Sequence, residues 1–473
     1  MTSPYHHSDG EMLLMSGFKK QMLYISLISL FVVACLFGEI ISFYGEFSHY
    51  SSITAVQRGI KPKKVIVNSV SKQRHSRVMC LDSEECSAQN SNLQQPLRPP
   101  REPTVDITSS KTRLSTSSSD VRDKDGNLCE LSDPSYQTKT SAPSTCNVIH
   151  ELGFDLARFR YLAKGAFKMA WDMEYFDEDG NEKHYVMKTA VLGKIKSSAK
   201  QLGDNTRDAL IMERAGRAPN SHEANVLPMY QYCAITALVP FASRQPLDKY
   251  LKSGKIISAR EMYHLAVQAA RGLYQMQAYK DGMATYAHAD VKPPQFLVFD
   301  PPQDSEEDFP LLQLNDFNRG RYIKRSVNNK EPCAFQMCGV HHKGSTYRSP
   351  EEYKDCADQS AAIDVFSLGS VFFFLLSNGL KPYFQSSYDD AVKDILHGRL
   401  PELPDSSDYK EYLYYSNDKA DFAIERSKHP LFIALQDVMK QCWSFKPEDR
   451  PTSLEVVQML EENLLKLSKI RNV

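Results

Sequence analysis

The sequence predicts one α+β domain over roughly residues 155–465, set behind a single apolar segment and a long polar stem. Three observations carry this reading. From about Leu152 apolar residues become frequent and periodic and stay so to the C-terminus. The first part of that region alternates short apolar runs with turn residues, as strands do, and the later part shows helical periods such as Ser258 to Tyr279.

The 473 residues are long enough for two or three domains, yet only about two thirds of them can build a core. With 42% hydrophobic and 24% charged residues and a formal net charge of −1, the composition is that of a globular protein. No charge excess points to nucleic acid. The run Lys61-Pro62-Lys63-Lys64 is local and reads as a solvated face beside a membrane.

Residues 21–44, QMLYISLISLFVVACLFGEIISFY, hold Glu39 as their single charge and are long enough to cross a bilayer of roughly 30 Å. A cleaved signal peptide would have a shorter apolar core, about 7–15 residues, with small residues after it, so a signal anchor behind a tail of residues 1–20 is expected. Lys19 and Lys20 precede the span while Arg58, Lys61, Lys63 and Lys64 follow it, and flanking charge does not set the orientation. The short N-terminus and the downstream cysteines favour a type II arrangement with the C-terminal part in the secretory lumen, the cytosolic orientation being the alternative. The chain carries no Asn-x-Ser/Thr sequon, which a lumenal domain would normally have.

The stem, 45–150, is rich in Ser, Thr, Pro, Gln and charge and cannot bury enough apolar area to offset the entropy of ordering it. Of the ten cysteines, Cys80, Cys86, Cys129 and Cys146 lie in this polar stretch, where disulfide staples explain them better than packing does. The one later run of comparable apolarity, Ile363 to Leu376, is under 18 residues and contains Asp364, Ser367 and Ser370, so it reads as a buried core helix.

Chemistry gathers in the domain in order. Phe159 to Trp171 is an apolar run broken by a turn at Gly165, and Tyr185-Val186-Met187-Lys188 is strand-like and ends on a lysine. A charged helical segment, Asp204 to Ala215, offers acids that could hold Lys188. Two short apolar strands are expected at Val226 to Tyr230 and Ala234 to Pro240. His288-Ala289-Asp290-Val291-Lys292-Pro293-Pro294-Gln295 then sets a carboxylate and an ammonium two residues apart on a proline-stiffened loop. Phosphoryl transfer uses such a pair: the carboxylate orients the attacking hydroxyl and the ammonium compensates phosphoryl charge. About 20 residues later Asn315-Asp316-Phe317-Asn318 ends another apolar strand with a hard oxygen ligand suited to Mg²⁺. His341 and His342 read as ordinary loop histidines rather than a metal pair.

This order of motifs resembles the protein-kinase superfamily over about 310 residues, and the later segments Ser349-Pro350-Glu351, Asp364 to Gly369, Cys442-Trp443 and Asp449-Arg450-Pro451-Thr452 add to it. The resemblance implies a bilobal protein-kinase fold, with a small β-rich N-lobe over 151–240 and a larger helical C-lobe over 241–467. It implies ATP with Mg²⁺ or Mn²⁺. Asp290 takes the place of the catalytic base and Lys292 that of its phosphate-contacting partner. Gly165 and Lys188 fall at nucleotide-binding positions, with Asp208 as the helix acid that pairs with Lys188 and Glu213 as its fallback. Asp316 and Gln295 fall at the metal positions, and Glu351 is expected to pair with Arg450.

Several positions depart from the pattern. Ala163 and Lys168 stand where two of the loop glycines would be, Asp208 replaces a glutamate, and Ala289 replaces an arginine that reads activation-loop phosphate. Phosphorylation of Ser345, Thr346 or Tyr347 is therefore not expected to switch the protein by that route. Gln295 replaces the second metal asparagine, and Asn318 replaces a glycine while tolerating positive φ. Lys292 resembles the Ser/Thr-type loop, so a protein Ser/Thr hydroxyl is the expected acceptor, or a glycan hydroxyl if the domain is lumenal. A pseudokinase that binds nucleotide or scaffolds partners is the alternative.

Overall fold

The computed structural model describes residues 121–131 and, with short breaks at 166–167, 177–181, 192–197, 217–223, 234–235, 253, 279–282, 303–307 and 339–344, residues 159–470. The expected tail 1–20, the span 21–44 and most of the stem 45–150, with Cys35, Cys80, Cys86 and Cys146, lie outside the described residues, as do His341 and His342. Among the described residues no helix is long and apolar enough to cross a membrane.

A short strand, β1 (Cys129–Glu130), precedes the domain. The strands β2 (Phe159–Lys164), β3 (Lys168–Phe176), β4 (Glu182–Ala190), β5 (Gln231–Cys233) and β6 (Thr236–Pro240) form a five-stranded antiparallel sheet in the order β2-β3-β4-β6-β5. In the β3–β4 ladder Ala170 faces Lys188 and Lys168 faces Ala190. Side chains alternate along a strand and directly opposed residues share a face, so Lys168, Ala170 and Lys188 lie on one side of the sheet. Helix α1 (Ser198–Ala215) follows β4 and buries Ala209, Leu210, Ile211 and Met212.

The strand expected at Val226 to Tyr230 does not form. Pro228 has no N–H to give a ladder. Instead Val226 makes a single bridge to Leu314, and Leu227 N–H donates to Leu314 O at 2.8 Å, stitching this segment to the strand below. The next expected strand is present as β6 over Thr236–Pro240, while Ala234 and Ile235 lie outside the described residues.

The rest is mainly helical. After α2 (Leu247–Lys252), α3 (Ala259–Gln277) starts where the Ser258 hydroxyl accepts from Glu261 N–H at 3.1 Å. Short antiparallel pairs then carry the functional loops. These are β7 (Tyr286–Ala287) with β10 (Arg321–Tyr322), β8 (Phe296–Phe299) with β9 (Leu311–Leu314), and β1 with β11 (Arg325–Ser326). Helix α4 (Ala362–Leu376) is buried at every residue from Ile363 to Leu376 and stands at the centre of the main core. Of the later helices, α5 (Tyr388–Leu396) adds to the same core, α6 (Ser406–Leu413) and α7 (Asn417–Ser427) pair in a smaller cluster around Tyr409 and Ala420, and α8 (Pro430–Cys442) packs directly on α4, with α9 (Ser453–Ile470) against α8 and α3. A Cβ at Gly369 would meet Trp443 and Cys442 at 3.0 Å, so a glycine is what lets α8 sit this close to α4.

Two links close the fold over long distances. The Arg450 guanidinium grips Glu351 with both branches, Nη1 to Oε1 at 2.6 Å and Nη2 to Oε2 at 3.0 Å, and also donates to the Ser444, Phe445 and Ala362 carbonyls. Cys129 bonds to Cys333, 204 residues away, so this stem cysteine is tied into the domain, and Cys338 bonds to Cys356. Arg450→Ala strands the Glu351 carboxylate and is expected to destabilise the domain by roughly 3–5 kcal/mol in equilibrium unfolding. Replacing both Cys129 and Cys333 by Ser is expected to cost about 2–5 kcal/mol, read as a lower denaturant midpoint, and reducing agent, which also opens Cys338–Cys356, is expected to lower the wild-type midpoint at least as far.

Candidate active site

The loop that carries Asp290 is shaped by a buried carboxylate. Asp364, at the start of α4, accepts from His288 N–H at 2.6 Å, Ala289 N–H at 2.8 Å and the Gln277 amide at 3.0 Å. Burial pushes its carboxyl upward, and the His288 side chain and these donors work against that. Ala289 sits at φ 56°, a left-handed conformation that a residue with a Cβ adopts only when its surroundings impose it. The His288 ring fixes the other side, with Nε2 3.1 Å from Asn315 O and the ring against Phe317 at 5.1 Å between centroids.

Asp290 projects from this loop into a cleft of about 970 Å³. Its Oδ2 accepts from Lys292 Nζ and from Gln295 Nε2, each at 2.9 Å. Its Oδ1 pairs with the buried Arg348 guanidinium, which also donates to Ala289 O at 2.5 Å and to Glu352 at 3.2 Å. Burial disfavours the charged carboxylate, but Arg348 and Lys292 outweigh it and hold Asp290 at about 2. Thus Ala289 removes one arginine from the family pattern, and Arg348, from the segment after the Cys338 disulfide, supplies a guanidinium beside the same carboxylate. Arg319 also lines the cleft, its cation disfavoured by burial and by Arg348. Thr346 is buried and donates to Pro382 O at 3.1 Å.

The expected partnership of Lys188 with Asp208 is not formed. Lys188 Nζ instead donates to Asn315 Oδ1 at 2.5 Å, and Asp208 pairs with Lys168 from the neighbouring strand. The second oxygen of Asp208 accepts from Phe317 N–H at 2.6 Å, which anchors the Asn315 to Asn318 turn to α1. Glu213 is buried further along α1 and does not border the cleft. Burial and the nearby Lys168 lower the pKa of Lys188, with Asp208 and Asp316 opposing them in part.

Gly165 lines the cleft, but its N–H closes the β2–β3 turn onto Lys168 O at 2.8 Å. Asp316 reaches the cleft at φ 66°, so the left-handed residue of this turn is Asp316 and not Asn318, which lies in the single 3-10 turn that follows. Among the described residues no group of three or more His, Cys, Asp or Glu side chains could hold a metal ion. The donors present at this end are the Asp316 carboxylate and the Gln295 amide, whose nitrogen is spent on Asp290 and whose oxygen is the remaining donor. That set fits Mg²⁺, which commonly takes one or two carboxylates and completes its shell with phosphates and water. Asp290, Lys292, Gly165, Lys188, Asp316 and Gln295 therefore share one cleft, and Asp208 stands behind it. Sequence reasoning missed Lys168, Asn315 and Arg348 as site groups. Strand parity was the available signal for Lys168, while Arg348 joins the site only through the tertiary fold.

A base and ammonium on one loop, a carboxylate turn opposite and a lysine-bearing sheet above are the arrangement of an ATP-dependent phosphotransferase of the protein-kinase class. The family model for the protein kinase domain matches residues 177–461, and the chain belongs to this family. It is 22% identical over 285 residues to the tyrosine-protein kinase SRK3 of Spongilla lacustris, covering 58% of this chain and 69% of that protein. Over 285 residues it is 25% identical to the receptor-like serine/threonine-protein kinase NCRK of Arabidopsis thaliana, covering 58% and 46%. Over 328 residues it is 20% identical to the tyrosine kinase receptor Cad96Ca of Drosophila melanogaster, covering 66% and 36%. The matches thus span less than half of these last two relatives.

Arg348→Ala removes a cation that favours ionised Asp290, so the Asp290 pKa is expected to rise from about 2 towards or above its ordinary 3.8, read by carboxyl ¹³C chemical shift against pH. No upward movement would show that Arg348 does not set this ionisation.

Proposed function

We propose that this protein is a membrane-anchored kinase that transfers the γ-phosphoryl group of ATP to a hydroxyl, with a protein Ser or Thr as the preferred acceptor. The observation that carries this reading is Asp290 held between Lys292, Gln295 and Arg348 in the cleft that also holds Lys188 and Asp316. In the proposed step the acceptor oxygen bonds to the γ-phosphorus, the bond from that phosphorus to the β–γ bridging oxygen breaks, and ADP leaves. Asp290 orients the hydroxyl and takes its proton as the new bond forms; a carboxylate held near 2 is a weak base, which suits a transition state with little early deprotonation. Lys292 and Arg348 keep Asp290 aimed, and Lys188 and Gly165 border the phosphates. Asp316 and Gln295 would hold Mg²⁺ or Mn²⁺, which neutralises phosphate charge when bound.

The two disulfides among the described residues, Cys129–Cys333 and Cys338–Cys356, favour an oxidising compartment and hence the lumenal, type II orientation of the span at 21–44. In that setting the acceptor class extends to a glycan hydroxyl. One observation favours the pseudokinase alternative, a nucleotide-binding or scaffolding module: Lys188 meets a neutral amide instead of the acid expected for it.

Labelled γ-phosphate transfer by the full chain with Mg²⁺ or Mn²⁺, to itself, to protein acceptors and to glycans, tests the proposal. Activity is expected to fall at least about 100-fold in Asp290→Ala, the scale of a lost general base. A folded wild type that binds ATP and transfers nothing establishes the pseudokinase reading.

A further inference from the structure

We propose that Lys168, and not Lys188, is the lysine that pairs the phosphates of the bound nucleotide, held ready by Asp208; this rests on the nucleotide site proposed above. Lys168 and Lys188 leave the same face of the sheet, two residue pairs apart along the β3–β4 ladder, and both line the cleft. Only Lys168 has a carboxylate partner of its own. Asp208 is spent on Lys168 through one oxygen and on Phe317 N–H through the other, so the same acid fixes β3, α1 and the turn that carries Asp316. Lys188 is left with Asn315 Oδ1.

The charge balance separates the two lysines in the same sense. Burial works against the ammonium of Lys168, yet Asp208 and Asp316 exceed it and raise its pKa. For Lys188 the corresponding attractions do not overcome burial and the repulsion of Lys168. A phosphate anion set between the two ammoniums would relieve that repulsion, and Lys168 is the one whose charge and direction are already fixed.

This arrangement also accounts for the glycine-poor loop. The Gly165 N–H is used inside its own turn, by the carbonyl of Lys168 itself, and is not free to reach an anion. At the position where the resemblance places a glycine, the chain carries instead an ammonium on the cleft face. One fixed cation replaces the attraction that a row of backbone N–H groups would give.

The test is equilibrium binding of Mg·ATP and of adenosine to the full chain, beside Lys168→Met, Lys168→Arg, Lys188→Met and Asp208→Asn, with folding of each checked by its unliganded melting temperature. Lys168→Met is expected to weaken ATP roughly 10- to 100-fold, the loss of one charge-assisted hydrogen bond, and to leave adenosine unchanged. Asp208→Asn should shift ATP binding in the same direction, Lys168→Arg should keep part of it, and Lys188→Met should cost several-fold less than Lys168→Met. Binding lost in Lys188→Met and kept in Lys168→Met overturns this assignment alone, as do equal losses at the two lysines. If Lys168→Met does not fold, Lys168→Arg and Asp208→Asn carry the comparison with Lys188→Met, and a larger loss at Lys188 overturns the assignment. No ATP binding by the folded wild type overturns the nucleotide site and this assignment with it.

Discussion

The carboxylate of Asp364 is the group on which the site's geometry hangs. It lies fully buried at the head of α4 and takes the backbone N–H groups of His288 and Ala289 together with the Gln277 amide. A buried carboxylate with fewer donors would be costly, and a loop with Ala289 at positive φ would relax without it. Each therefore stabilises the other. The turn they impose sends Asp290 into the cleft, while α4 is held by the apolar core around Phe372, Phe373 and Phe374.

Around that fixed point the charges are distributed differently from what the family order implies. Arg348 stands by Asp290 where Ala289 offers nothing, and Lys168 stands by Asp208 where Lys188 was expected. In the first case a cation that the neighbouring residue does not offer reaches Asp290 from a distant element, and in the second the partner of Asp208 comes from the neighbouring strand while Lys188 keeps its place in the cleft. Compensation of this kind explains how Ala289, Asp208 and Lys168 can all depart from the pattern while the cleft keeps a balance of buried cations and carboxylates. It also limits what the loss of one motif residue says about activity.

The disulfides belong to the same account. Cys338 and Cys356 bracket the segment that delivers Arg348, and Cys129 with Cys333 pins the end of the stem beside β11. Covalent closure constrains the unfolded chain. Placing it on either side of Arg348 restricts a segment that the family commonly orders by phosphorylation. Thr346, buried in that segment with its hydroxyl on Pro382 O, is not presented to a kinase or phosphatase.

The family and most of the site's residues were legible in the sequence, because motif order, a lysine ending a strand and a carboxylate beside an ammonium are local features of one chain. The buried helix Ile363 to Leu376 was legible for the same reason, whereas the Glu351 and Arg450 partnership came only through the family resemblance. Local pattern misjudged Val226 to Tyr230, where Pro228 and a bridge to Leu314 override strand periodicity, and it carried no sign that the positive φ of the Asn315 to Asn318 turn falls at Asp316. Tertiary structure alone decided which lysine meets Asp208, which arginine meets Asp290 and which cysteine meets Cys129. Those choices depend on distances between elements far apart in sequence, set by the register of β3 on β4 and the packing of α1 and α4, and a one-dimensional pattern carries no such distances.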